Sequence, residues 1–153
     1  MKRIEIKLSQ QVVSPLLDFL KPVVRELGSS LALDPVFPEG EDSSFEETWR
    51  GDLLASQSGD VSSFLELFDR EFVEDGTIRI DDDSADFVLR AAAAIRLHLR
   101  ARWLRDVPGE ILEKGELAYD SLSPDSRQAY ASYLFLATIQ EIVIQHLEPA
   151  GGR

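Results

Sequence analysis

From Lys2 to Ser9 apolar and charged residues alternate, with Ile4, Ile6 and Leu8 on one face and Arg3, Glu5 and Lys7 on the other. A period of two predicts a half-buried strand. The period then lengthens: Val12, Val13, Leu16, Leu17, Leu20, Val23, Val24 and Leu27 recur at helical spacing, which predicts a helix to about Leu27. Pro15 fits just inside a start capped by Ser14. Pro22 is expected to end or kink the helix near Lys21, and Gly28 suits the position just past its end. Turn-forming residues from Leu33 to Asp42 predict a loop. Ser44 with Glu47 has the form of a capping box, and Phe45, Trp49 and Leu53 predict a buried stripe on the helix it opens. Ser56 to Gly59 is expected to break that helix. Asp60 then caps another, with Val61, Phe64, Leu65, Phe68 and Phe72 as its inner face and Gly76 near its close.

Thr77 to Asp81 alternates again and predicts a second short strand, which gains a partner by pairing with the first. A long helix is expected from an Asp83 cap, with Asp86 at the box position, to about Asp106. Phe87, Val88, Ala91, Ala94, Ile95, His98 and Trp103 or Leu104 would line its inner surface. Ala91 to Ala94 favours helix and lets a neighbouring helix, the terminal one in the ordinary case, cross closely. Pro108-Gly109 stops the helix, and a short one follows from Glu110 to Tyr119. Ser123-Pro124 starts a terminal helix to about Leu147, with Tyr130, Leu134, Ala137, Ile139, Ile142, Val143 and Leu147 as core candidates. The pattern predicts a mainly α fold, a helical bundle with a small two-stranded β element. It forms one helical domain over 1–148, with 149–153 as a disordered tail.

The length of 153 residues suits one domain with a full core. Cysteine is absent, so disulfides, thiol nucleophiles, iron–sulfur clusters and cysteine-ligated zinc are excluded. That composition fits the cytoplasm. The N-terminal residues lack a signal-peptide h-region, and Gln140, Glu141, Gln145 and His146 interrupt the most apolar helix, so no membrane span is expected. Net charge is −12, which disfavours phosphate-backbone or anionic-membrane binding. The charge is segregated. Residues 34–83 hold 16 of the 28 acids and only 3 of the 16 basic residues, whereas 84–106 holds 5 arginines against 2 acids.

Candidate chemistry is sparse. Asp81-Asp82-Asp83 could approach a metal, but adjacent carboxylates in a strand do not converge, and a helix cap is the better reading. Glu46-Glu47 and Glu71 with Glu74-Asp75 read as solvated helix faces rather than acid–base pairs. His98 reads as a hydrogen-bonded packing residue and His146 as a partner of its own helix C-terminus; neither has metal-ligand spacing. Phosphate-binding glycine loops and the serine-nucleophile elbow are missing. No catalytic, cofactor-binding or metal residue is therefore assigned. Arg90, Arg96, Arg100, Arg102 and Arg105 form a basic run. Arg96, Arg100 and Trp103 are its candidate partner-binding residues, since arginine and tryptophan dominate interface hot spots. The competing reading has these arginines neutralising the acidic 34–83 segment.

The chain resembles the DUF2017 family, whose members are mainly actinobacterial. The resemblance covers roughly residues 3–148. It rests on the Arg3-Ile4-Glu5-Ile6 strand and its leucine-rich helix, the loop from Asp34-Pro35 to Phe37-Pro38, and the Trp49-Arg50-Gly51-Asp52-Leu53 helix. Arg96-Leu97-His98-Leu99 and the helix from Tyr133 to Gln140-Glu141 complete it. It implies a small helical cytoplasmic protein with no family-wide catalytic motif, and no site residues carry over. Some members lie near the gene for a Clp protease adaptor, so a stress-regulatory role is the family-level expectation. Cysteine-based redox sensing could not operate here. The expected function is non-enzymatic regulation or adaptor work through contact with another protein, in stress response or transcription control. The long helix or the acidic 34–83 surface would supply the interface. A homodimer is the expected assembly if the terminal helix is apolar on both sides. The alternatives are a dimeric DNA-binding transcription regulator and a carboxylate- or metal-dependent enzyme.

Overall fold

The computed structural model describes residues 2–37, 39–40, 42–114 and 118–147. Its elements in chain order are β1 (Arg3–Lys7), α1 (Gln10–Leu27), α2 (Ser43–Glu66), α3 (Arg70–Asp75), β2 (Thr77–Asp81), α4 (Asp82–Trp103), α5 (Gly109–Lys114) and α6 (Pro124–His146), with a 3-10 turn at Tyr119–Ser121 before α6. The chain is mainly helical with one small antiparallel sheet.

The two strands pair as their alternation demands. Ile4 faces Ile80 and Ile6 faces Ile78, so the apolar sides meet over the core, while Glu5 faces Arg79 on the outer side. Arg79 is bonded to Glu5 (3.0 Å) and ion-paired with Glu71 of α3. Gly76 joins α3 to β2 at φ +77°, a left-handed conformation, and its carbonyl accepts the Leu8 N–H at 2.8 Å. A Cβ at Gly76 would stand 2.6 Å from the Leu8 carbonyl oxygen, so glycine is required there twice over.

Helix α4 is the hub: it packs against α6 and α2, with α1 also in contact. Ala85, Val88, Ala91, Ala92, Ile95 and Leu99 of α4 are fully buried. They meet Leu20, Val23 and Leu27 of α1, Val61 and Phe64 of α2, and Ala129, Leu136, Ile139 and Val143 of α6 in one core. Among the expected inner residues of α4, Phe87, Ala94, His98 and Trp103 are only partly buried. The close approach of α6 shows at the backbone, where Gln140 Nε2 donates to the Leu89 carbonyl at 3.2 Å.

Several boundaries differ from the sequence expectation. Helix α1 starts at Gln10 behind a Ser9 cap, not behind Ser14, and it continues through both prolines to Leu27. Pro15 and Pro22 are seven residues apart, on the exposed face. The carbonyls they leave without an N–H partner, those of Gln11 and Asp18, belong to exposed residues and open to water. Ser56 to Gly59 does not break α2, which runs uninterrupted to Glu66 from an Asp42 cap whose carboxylate accepts the Phe45 N–H at 2.8 Å. Asp60 is thus a mid-helix residue. Helix α4 is capped by Asp81 with Ser84 completing the box, two residues ahead of the expected Asp83. It ends at Trp103 rather than near Asp106. The short helix is described over Gly109–Lys114, and residues 115–117, which the sequence expectation placed in it, lie outside the described residues, as does the predicted 149–153 tail.

Candidate functional site

The paired arginines of α4 are divided among four neighbouring helices. Arg90 makes a two-pronged pair with Asp60 of α2, Nε to Oδ2 at 2.9 Å and Nη2 to Oδ1 at 3.0 Å. Arg96 points between α5 and α6: Nη1 donates to Gln140 Oε1 (2.6 Å), and Nη2 donates to Glu113 Oε1 (3.1 Å) and to the Tyr133 hydroxyl (3.0 Å). Its guanidinium lies 4.4 Å from the Tyr133 ring centre. Tyr133 donates its own proton to Glu113 Oε1 at 2.6 Å. Burial first, and then this bond to a carboxylate, push the Tyr133 phenol above its usual pKa.

Arg102 and His98 converge on Glu26 of α1, with His98 Nε2 2.7 Å from Glu26 Oε2 and Arg102 hydrogen-bonded to Oε1. The Arg102 bond, aided by His98, holds the Glu26 carboxyl below its ordinary pKa. Trp103 turns to α1, its ring 4.9 Å from that of Phe19 and stacked under Arg102 at 4.5 Å. Arg100 is exposed, makes no ion pair among the described residues, and lies over the backbone of Gly109. The three residues proposed from sequence for partner binding therefore point to three places. Arg96 is 20% exposed and bonded internally, Trp103 is packed on α1, and Arg100 faces outward. Of the five arginines, Arg90 alone pairs with the acidic 34–83 segment; Arg96 and Arg102 neutralise Glu113 and Glu26 instead.

The triple aspartate serves a helix start. Asp81 accepts the Ser84 N–H (3.0 Å), and Asp82 accepts the backbone N–H of Lys2 (2.9 Å), tying the strand ends together. Among the described residues no cluster of three or more His, Asp or Glu side chains is placed to hold a metal ion.

The surface that periodicity misassigned is on α2. Phe45, Trp49 and Leu53, expected in the core, are 45%, 38% and 37% exposed. Residues 43–53 contain no buried side chain, because this half of α2 runs beyond the core that Val61 and Phe64 enter. Its stripe is covered only in part: Phe37 packs edge-on against Trp49 at 5.2 Å, and Phe45 lies 5.5 Å from Trp49, also edge-on. Where the stripe reaches the body, a groove of about 400 Å³ opens between the 31–35 loop, α2 and α4. Leu33, Leu53, Ala93 and Leu97 give it an apolar lining, with Asp60 and Arg90 at one side. Gln57 fixes the loop that forms one wall, accepting the Ala32 N–H at 2.9 Å and donating to the Leu27 and Ser30 carbonyls at 2.8 Å each.

A mainly helical domain with one strand pair and a half-projecting aromatic helix is thus defined by its geometry. The chain belongs to the DUF2017 family, a domain of unknown function, whose model matches residues 4–147. No curated protein and no solved structure matches it. Among the described residues no helix is long and apolar enough to cross a membrane.

Proposed function

We propose that this protein is a non-enzymatic regulatory or adaptor protein that acts through protein–protein contact, and that the α2–α4 groove with the projecting stripe of α2 is its contact surface. One observation carries this reading. Ten large apolar residues are exposed among the described residues, and six of them, Leu33, Val36, Phe45, Trp49, Leu53 and Leu97, belong to the groove or to the loop and helix beside it. Scattered exposed apolar side chains are ordinary, but a contiguous aromatic and aliphatic patch marks an interaction site. Tryptophan at its centre is the residue type most enriched in binding hot spots. The non-enzymatic part rests on the sequence, which carries no catalytic motif. A cytoplasmic location rests on the cysteine-free composition, and a stress or transcription setting on family resemblance.

The DNA-binding alternative draws less support, since Arg90, Arg96 and Arg102 are already paired with carboxylates and offer little free charge to phosphates. The test is a photo-crosslinking residue placed at position 49 and, as control, at exposed Val12 on α1, in the protein's own cells. A discrete protein adduct from position 49 and none from position 12 is expected. No adduct at position 49, or the same adduct at both, overturns the reading.

A further inference from the structure

The groove and the α2 stripe also carry information about the chemistry of what covers them. We infer that the occupant is an amphipathic helix of another protein, apolar on one face and flanked by Lys and Arg. This rests on the protein-contact function proposed above and specifies its partner.

Charge is the first argument. Successive helical residues are 100° apart, so Glu46 and Asp52 flank the Phe45–Trp49–Leu53 stripe on its two sides. The basic residues of this surface are already committed: Arg50 to Asp34 at 3.0 Å and Arg90 to Asp60. Glu39, Asp42, Glu46, Glu47 and Asp52 make no ion pair among the described residues. An apolar face bordered by unneutralised carboxylates attracts a cationic border and repels an anionic one. A second copy of this chain would set Glu46 and Asp52 against acids of the same patch, in a protein of net charge −12.

Shape is the second argument. The exposed stripe repeats at i, i+4 and i+8 over residues 43–53, roughly 16 Å of helix, which matches about three turns of a partner helix packed ridge into groove. Among the described residues no strand lines the groove, so an extended peptide finds no sheet edge to join there.

The experiment uses the full chain with Trp103→Phe, which leaves Trp49 as the sole tryptophan and an intrinsic reporter at the stripe. The probe is a synthetic helical peptide of roughly 18 residues with Leu at i, i+3, i+4 and i+7 and Lys at the flanking positions; its control carries Glu in place of Lys. Saturable one-to-one binding of the Lys peptide with a shift of Trp49 emission is expected, weakening with added salt, and no response to the Glu peptide. Glu46→Lys with Asp52→Lys should weaken the Lys peptide about tenfold. Glu74→Lys with Asp75→Lys on α3, away from the groove, should leave its affinity unchanged. Equal binding of both peptides, no binding, or equal loss from the two charge reversals overturns the inference. So does a homodimer by light scattering that shields Trp49. The two proposals fail separately: a partner crosslinked at position 49 through a segment without Lys or Arg removes the basic helix but keeps the protein contact, whereas no crosslink removes the contact itself.

Discussion

Arg96 shows why a residue's type does not settle its work. At i, i+4 from Arg100 it looked like half of a recognition face; its guanidinium is spent joining three helices, through Glu113 of α5 and Tyr133 and Gln140 of α6. Tyr133→Phe removes the bonds to Glu113 and Arg96 while keeping the ring, and should cost about 1–2 kcal/mol, read as a lower urea midpoint. Because Tyr133 is held protonated in the fold, the wild-type protein loses stability as pH rises past about 10, and Tyr133→Phe should flatten that alkaline limb. Glu26 gives the opposite sign. Its folded pKa is depressed, so its contribution is present above the ordinary carboxylate range and is lost as pH falls through the folded value. The difference in thermal midpoint between wild type and Glu26→Gln should therefore be present at neutral pH, shrink as pH falls below the ordinary carboxylate range and vanish only below the depressed folded value. A difference that persists in acid would mean the side chain acts by packing alone. None of these partners could be read from the chain order, since Arg96 and Gln140 are 44 positions apart and His98 and Glu26 meet only once α1 lies on α4.

Elements were far more legible than partners. Both strands and the terminal helix follow from local periodicity and from caps such as Ser123, because those signals act within a few residues, while the pairing of the strands follows from each short apolar face needing a partner. Local punctuation misled where tertiary context outweighed it. Two exposed prolines did not end α1, and Ser56 to Gly59 did not divide α2, whose Gln57 is engaged by the loop beside it. The stripe of α2 has the right period and the wrong burial: Phe45, Trp49 and Leu53 do share a face, but nothing among the described residues fully covers it. Two substitutions probe junctions between elements. Gly76→Ala combines a positive φ with a Cβ collision against the Leu8 carbonyl, and should destabilise by more than about 1 kcal/mol in urea melts. Asp81→Ala removes the α4 cap and should cost about 1 kcal/mol, while Asp83→Ala, two residues too late to cap, should cost much less.

At the scale of the whole molecule, stability and contact surface are separable. Phe64 is fully buried under α4, and Phe64→Ala should cost about 3–5 kcal/mol. Phe45→Ser, on the projecting half of the same helix, should change stability by less than about 1 kcal/mol in the same melts. The acidic balance likewise belongs to the surface, with 16 of 28 acids in residues 34–83, and among the described residues the core carries no charged side chain, its polar groups being Thr77, Ser132 and the hydroxyls of Tyr130 and Tyr133. The strand pair bears on how the chain is made. Glu5 and Arg79 are 74 positions apart, so at roughly 5–20 residues per second of synthesis β1 is born about 4–15 s before β2 exists. Through that interval the nascent strand is a solitary edge, the kind of segment that recruits other unfinished chains. Arg3, Glu5 and Lys7 at every second position make it a poor template for them, so the charges that later face solvent guard the newborn chain against aggregation.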